Sequence, residues 1–128
     1  MINLILEVIK NDTEIISLIN PIVNNLKIYS MGTTYIGDCI VYNYIQLLND
    51  GIKAQDRLEI TVHSNNEAKA NQIVDRVKQL LITVGDWQKV NGILEISQSG
   101  GGSLFDDETK VIKVKAFFVV KSKSKIKL

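Results

Sequence analysis

The sequence predicts an α+β fold: a mostly antiparallel sheet of four or five strands, one long amphipathic helix packed on a face, and short helices from the N-terminal end. Leu58, Ile60 and Val62 alternate with polar residues, which predicts a strand with one apolar face. Directly afterwards the period lengthens to that of a helix, and apolar residues recur along one stripe of residues 65–84. A strand and a helix that each carry one apolar side bury it by packing together.

Length and composition favour one ordinary globular domain. The chain has 128 residues, enough for a single core, and we expect one α+β domain over residues 1–120 with a basic C-terminal tail at 121–128. The net charge of +1 argues against a dedicated nucleic-acid binder. Cys39 is the single cysteine, which excludes an internal disulfide and fits an intracellular protein.

The N-terminal end carries neither a predicted signal peptide nor a predicted membrane span. It lacks a basic region followed by a small-residue cleavage site. No apolar run reaches the roughly 18 residues that a spanning helix needs. We therefore expect no membrane partner.

The first half of the chain predicts two short helices and three strands. Isoleucines and leucines at helical spacing predict a helix near residues 2–9 and a second short helical piece at 15–19. Residues 26–29 fit a short strand. Residues 38–48 are apolar on both faces and predict a central strand, which a turn at 49–51 connects to an antiparallel neighbour at 57–63.

The long helix has a recognisable start, stripe and stop. Ser64 and Glu67 have the spacing of a capping box, and Gly85 supplies the C-terminal stop. The residues between them that share one apolar stripe are Ala70, Ile73, Val74, Val77, Leu80, Leu81 and Val84.

The last third predicts two strands separated by a long connection. Residues 93–97 fit a short strand and residues 110–121 a longer one. The segment 98–109 contains three consecutive glycines and predicts a flexible hairpin connection. We expect the basic tail from residue 121 onward to be frayed.

The residue types that carry catalysis are sparse in this sequence. His63 is the only histidine, without a pattern that would orient it, and Cys39 has no motif that would activate its thiol. The carboxylates at 106–108 lack the alternating spacing of a calcium loop, and the glycines at 100–102 lack the ending of a phosphate-binding loop. We predict no enzyme activity, no cofactor and no metal site.

The features left over predict a surface for protein partners. An apolar pair beside three carboxylates suits a hydrophobic anchor with a charged rim, and alternating tail lysines suit an acidic surface or phosphate. The alternatives are an apolar pair folded back on its own sheet and a tail that only aids solubility. The predicted partner-binding residues are Gly100, Gly101, Gly102, Leu104, Phe105, Asp106, Asp107, Glu108, Lys121, Lys123, Lys125 and Lys127.

In this order of elements the chain resembles the tail-completion or tail-terminator proteins of tailed bacteriophages, which close the head-proximal end of the tail tube. The likeness is a layout of apolar strands, one amphipathic helix and an acidic turn before the last strand. The stretches that carry it are residues 2–19 with Lys27, Ile28 and Tyr29, the strand 39–44, the strand and helix 57–81, and residues 105–110 leading into 111–119.

The resemblance implies a structural virion protein of the tail or neck, made in the cytoplasm of the bacterial host. It implies a cyclic homo-oligomer, a hexamer, whose other partners are the tail tube protein, a neck or head-completion protein and DNA passing through the lumen. The alternatives are another neck protein, such as a head-closure or connector subunit, and a ferredoxin-like binding module.

Overall fold

A computed structural model describes residues 2–19, 28–30, 38–49, 53–82, 93–107 and 110–123. These residues form three helices and five strands. In chain order they are α1 (Ile2–Lys10), α2 (Thr13–Ile19), β1 (Ile28–Ser30), β2 (Cys39–Asn49), β3 (Lys53–Ser64), α3 (Glu67–Leu81), β4 (Ile93–Asp106) and β5 (Val111–Lys123). The predicted α+β class is confirmed.

The five strands form one mixed sheet in the order β1-β2-β3-β5-β4. β1 runs parallel to β2, and each of the other neighbouring pairs is antiparallel. The β4–β5 hairpin therefore docks onto the β2–β3 hairpin through the β3–β5 pair, with α3 making the connection between the two hairpins.

One face of the sheet and the apolar stripe of α3 form the core. Side chains in register across the strands, such as Ile60 with Ala116 and Leu58 with Phe118, are fully buried on this face. α3 packs against β3 and β5 with the stripe that the sequence predicts, and its buried residues are Ala70, Ile73, Val74, Val77 and Leu81. A half-buried sheet explains the alternation in β3, since successive side chains point to opposite faces.

The two N-terminal helices pack against α3 and against each other. Ile5 and Ile9 of α1 and Ile15 of α2 are fully buried, as expected from their helical spacing. Asp12 lies between the two helices, and its Oδ2 accepts a hydrogen bond of 3.1 Å from the Ile15 backbone N–H at the start of α2. The predicted pair of short helices is confirmed.

The start of α3 differs from the predicted capping box. Asn66 is the N-cap, and its side chain accepts a hydrogen bond of 3.2 Å from the Lys69 backbone N–H. Ser64 is instead the buried last residue of β3, and its Oγ accepts from the Asn66 backbone N–H at 3.1 Å. Ile82 is the C-cap. Val84 and the predicted stop at Gly85 lie outside the described residues.

Three strands are longer than the sequence predicts. β3 begins at Lys53, four residues before the predicted start of this strand at residue 57. β4 continues to Asp106 through the three glycines, so the prediction of a flexible connection from residue 98 is wrong. β5 continues to Lys123, so Lys121 and Lys123 are strand residues rather than a frayed tail.

Candidate functional site

The three consecutive glycines lie inside β4, where they allow close contact with β5. A Cβ at Gly101 would lie 2.5 Å from the backbone carbonyl oxygen of Lys115, closer than such atoms approach in proteins. At Gly102 a Cβ would meet nothing within 4 Å. Gly101 therefore fits the strand pairing only because it has no side chain, and the glycine segment is a paired strand rather than a mobile linker.

The apolar pair that the sequence singles out is exposed at the end of the β4–β5 hairpin. Leu104 is 55% exposed and Phe105 is 53% exposed. In register with them on β5 lie Lys113 and Ile112. The pair is not folded into the core, which leaves it free to contact a partner. We call Leu104 and Phe105 the β4 tip.

The acidic residues beside the β4 tip are only partly described. Asp107 is exposed. Asp106 is the last residue of β4, and the structure describes its backbone only. Glu108 lies outside the described residues. Lys110 follows with a positive φ of 58°, the left-handed conformation that reverses the chain into β5. The β4 tip therefore lies at the end of β4, beside the start of β5.

A second exposed apolar group, which sequence reasoning missed, lies at the far end of β2. Leu47 is 52% exposed, Leu48 is 58% exposed, and Ile45 beside them is 37% exposed. The register of β2 against β3 shifts between Gln46 and Leu48, so a bulge places two consecutive leucines in solvent. We call Leu47 and Leu48 the β2 tip.

The basic residues predicted at the C-terminal end are divided by the structure. Lys121 lies on β5 with its Nζ 3.8 Å from Glu95 Oε2, a half-exposed ion pair within the chain. Lys123 pairs in register with Lys53, and the structure describes its backbone only. Lys125 and Lys127 lie outside the described residues. Lys121 and Lys123 lie away from the β4 tip, because β5 ends at the opposite end of the sheet from the start of the β4–β5 pairing at Asp106.

The sheet face opposite the helices carries polar and charged groups in register. Arg57 lies over the ring of Phe117, 4.6 Å from its centroid, and its Nη2 lies 3.5 Å from Glu59 Oε1. Glu59 Oε2 also accepts a hydrogen bond of 3.2 Å from Asn43 Nδ2. These contacts hold the long side chains flat on the strands.

His63 lies at one end of the same face, half-buried between Cys39 on β2 and Lys113 on β5 in the register. Burial lowers the pKa of His63 below its ordinary value, and the positive charges of Lys113 and Lys115 lower it further. Both causes favour the neutral imidazole over its charged form. Within the described residues no group of three or more potential metal ligands comes together.

One buried polar pair stabilises the other end of the sheet. The Tyr44 hydroxyl donates a hydrogen bond to Asp56 Oδ2 at 2.5 Å, and Asp56 is buried. Burial, followed by the bond to Asp56, raises the pKa of Tyr44 well above its usual range. Asp56 Oδ1 has no hydrogen-bond partner among the described residues.

Together these features define a one-sheet α+β protein that exposes apolar side chains at two corners of its sheet. The fold is similar to that of a chain from the virion of a native gene transfer agent particle, with a TM-score of 0.69 and 11% sequence identity, over 94% of this chain and 92% of that chain. At this identity the likeness shows a shared fold. No family model and no curated protein matches the sequence. None of the described helices has the length and apolar character to cross a bilayer.

Proposed function

We propose that this chain is a structural virion protein, a tail terminator that caps the head-proximal end of a phage tail tube as a ring and joins the tail to the head. The observation that carries the proposal is the fold shared with a virion chain over nearly the full length of both proteins. The order of elements that resembles tail-terminator proteins supports the finer assignment.

The distribution of exposed apolar side chains supports a role in assembly. Leu47, Leu48, Leu104 and Phe105 are each more than half exposed. Exposed apolar groups at the margins of a domain are typical of interaction sites. A ring of identical subunits, here a hexamer, needs two such surfaces on each copy, because every subunit contacts one neighbour on each side.

The other partners follow from the position of such a ring. One side contacts the tail tube protein and the other a neck or head-completion protein, while DNA passes through the lumen. The predicted partner-binding residues at the β4–β5 hairpin and in the lysine-rich C-terminal segment are candidates for these contacts.

Deletion of the gene from the phage genome that carries it tests the proposal. We expect filled heads and separate tails, and we expect tail length to be irregular because nothing caps the growing tube. Electron microscopy of the lysate measures both. Supplying the wild-type chain from a plasmid should restore joined particles, which controls for effects on neighbouring genes.

The same experiment separates the tail terminator from another neck protein, whose fold would fit the virion neighbour equally well. A head-closure or connector subunit would leave tails of uniform length beside heads that have lost their DNA. Joined particles with normal tails in the deletion strain would contradict both assignments.

A further inference from the structure

The outer edges of the sheet are formed by two segments that lack the usual protection against strand pairing. β1 pairs only with residues 40–42 of β2, so no described strand pairs with that edge of residues 43–48. On the other side, β4 is the last strand of the sheet, and no described strand pairs with the outer edge of residues 101–105.

Both edge segments are free of charge and of proline. Residues 43–48 read Asn-Tyr-Ile-Gln-Leu-Leu, and residues 101–105 read Gly-Gly-Ser-Leu-Phe. Natural sheets protect exposed edges with charged side chains, particularly lysine, or with proline. β5, an inner strand, carries lysines at 113, 115, 121 and 123, whereas the two edge segments carry none. Among the described residues, nothing pairs with either of these two edges.

Each open edge ends in one of the apolar tips, and the tips lie at diagonally opposite corners of the sheet. The β4 tip lies at the end where β5 begins, since Phe105 is in register with Ile112. The β2 tip lies at the end where β5 finishes, since Leu48 is in register with Gln55 and Gln55 with Lys121. The two tips therefore cannot touch within one chain.

The strand directions make the two edges complementary between copies. β2 is antiparallel to β3, β3 to β5 and β5 to β4, so β2 and β4 run in opposite directions within one sheet. A second copy in the same orientation thus presents its β2 edge antiparallel to the β4 edge of the first. The two tips lie at opposite ends of the strands, so they meet only if the second copy is shifted along the strand direction. Each copy is then offset along the strands from the copy before it.

We propose that copies of this chain associate by pairing residues 103–105 of one copy, antiparallel, with residues 47–49 of the next, which seats Leu104 beside Leu48 and Phe105 beside Leu47. The proposal rests on the ring that the proposed function requires and specifies its subunit contact. Such an edge-to-edge contact is heterologous, because different surfaces of the two copies meet. Main-chain hydrogen bonds supply the pairing, and the side-chain contacts fix the register.

Complementing variants test the contact in purified protein. Leu47→Ser with Leu48→Ser removes the β2 tip, and Leu104→Ser with Phe105→Ser removes the β4 tip. All four side chains are more than half exposed, so both variants should keep the wild-type melting temperature. Asn71→Ser with Gln72→Ser, at exposed positions on α3, is the matched control.

Sedimentation at sub-millimolar protein should show oligomers for the wild type and the control and monomers for each tip variant. An equal mixture of the two tip variants should form species of twice the mass of one chain and nothing larger. In that mixture one intact β2 tip meets one intact β4 tip, and the remaining tips are both defective. A monomeric wild type, or a mixture that stays monomeric, overturns the proposal.

Dimers of either tip variant alone would also overturn it, because they would show that like tips pair with like. Cysteine cross-linking covers the case in which a serine variant fails to fold. Leu48→Cys and Leu104→Cys chains should form a disulfide-linked dimer when mixed and oxidised, and neither should do so alone. Oligomers that form without this cross-link would contradict the contact but leave the proposed function standing, since that function is tested by the deletion strain.

Discussion

Arg76 of α3 and Asp12, 64 residues earlier, form a two-point ion pair, with Arg76 Nη2 2.8 Å from Asp12 Oδ1 and Arg76 Nε 3.0 Å from Asp12 Oδ2. The Asp12 side chain is 8% exposed, and its Oδ2 also caps α2. Glu14 adds a contact of 2.9 Å to Arg76 Nε. One carboxylate thus starts α2 and attaches it to α3.

Substitution of Asp12 should separate its two roles. Asp12→Ala removes both the cap and the ion pair, and loss of a cap alone costs about 1 kcal/mol of the free energy of unfolding. Asp12→Asn keeps an acceptor for the Ile15 N–H and removes the charge, so we expect a smaller loss. Urea denaturation measures both variants. Equal losses would contradict a capping role for the side chain.

The same residue predicts a pH dependence. The hydrogen bond from Arg76 is the main cause that lowers the pKa of Asp12, with burial opposing it. The folded state therefore binds the carboxyl proton of Asp12 less tightly than the unfolded chain does, in which the pKa of an aspartate is about 3.9. The stabilisation is present above that pH and is lost as the pH falls through the lower folded pKa. In urea titrations the stability gap between wild type and Asp12→Asn should narrow below about pH 4.

His63 should titrate below its ordinary value in NMR spectra. Burial is the first cause of its lowered pKa and the charges of Lys113 and Lys115 are the second, so Lys113→Gln should raise the pKa of His63 without restoring it fully. Lys10→Gln, on α1, is the control and should leave it unchanged. The contribution of His63 to the free energy of unfolding should be constant above about pH 6.5. It should decrease as the pH falls from there toward the lower pKa of the folded state, because the unfolded chain then binds a proton more readily than the folded one. If the pKa of His63 were the same in Lys113→Gln as in the wild type, the charge of Lys113 would not be one of its causes.

Adjacent glycines of β4 should respond oppositely to alanine. Gly101→Ala places a methyl group against the Lys115 carbonyl oxygen and must shift β4 away from β5, so we expect a loss of about 1–3 kcal/mol in the free energy of unfolding. Gly102→Ala meets open space and should change stability by less than about 1 kcal/mol. Thermal unfolding of the two variants checks the contrast. A loss at Gly102 as large as that at Gly101 would refute it.

Truncation of the C-terminal end should depend on where it falls. The sequence alone predicts that the fold survives removal of everything after Val120. In the structure Ser122 is 3% exposed and pairs with Ala54 and Ile93, so a chain ending at Val120 should melt at a lower temperature. A chain ending at Lys123 keeps every described contact of β5 and should melt like the wild type. If both truncated chains had the same melting temperature, the sequence-based prediction that the fold does not need the residues after Val120 would be correct.

The fold could be predicted wherever one side of an element is buried. Leu58, Ile60 and Val62 in β3, and the stripe from Ala70 to Leu81 in α3, show their burial as a period in the sequence. β4 could not be predicted in full, since glycine disfavours strands and the close approach of Lys115 that requires Gly101 is a tertiary contact.

The candidate surface was predicted only in part for a related reason. Leu104 and Phe105 stand beside glycines and carboxylates, so the sequence marks them as unusual. Leu47 and Leu48 continue an apolar strand and look like core residues, and the bulge that exposes them depends on the register with β3. The N-cap was predicted at Ser64 rather than Asn66, because both are good capping residues and the end of β3, which the sequence did not locate, decides between them.

The central β3–β5 pair has a consequence for how the chain folds. β2 with β3 and β4 with β5 are hairpins of neighbouring strands, whereas β3 and β5 are separated in sequence by α3 and β4. We therefore expect the two local hairpins to form early, because their joining must close a loop of about 50 residues and such a contact is slow to form. We expect Leu58 and Phe118, which meet across that junction, to form their contact in the transition state for folding, so that truncating either one slows folding in stopped-flow measurements. Truncating the exposed leucines of β2, Leu47 and Leu48, should leave the folding rate unchanged.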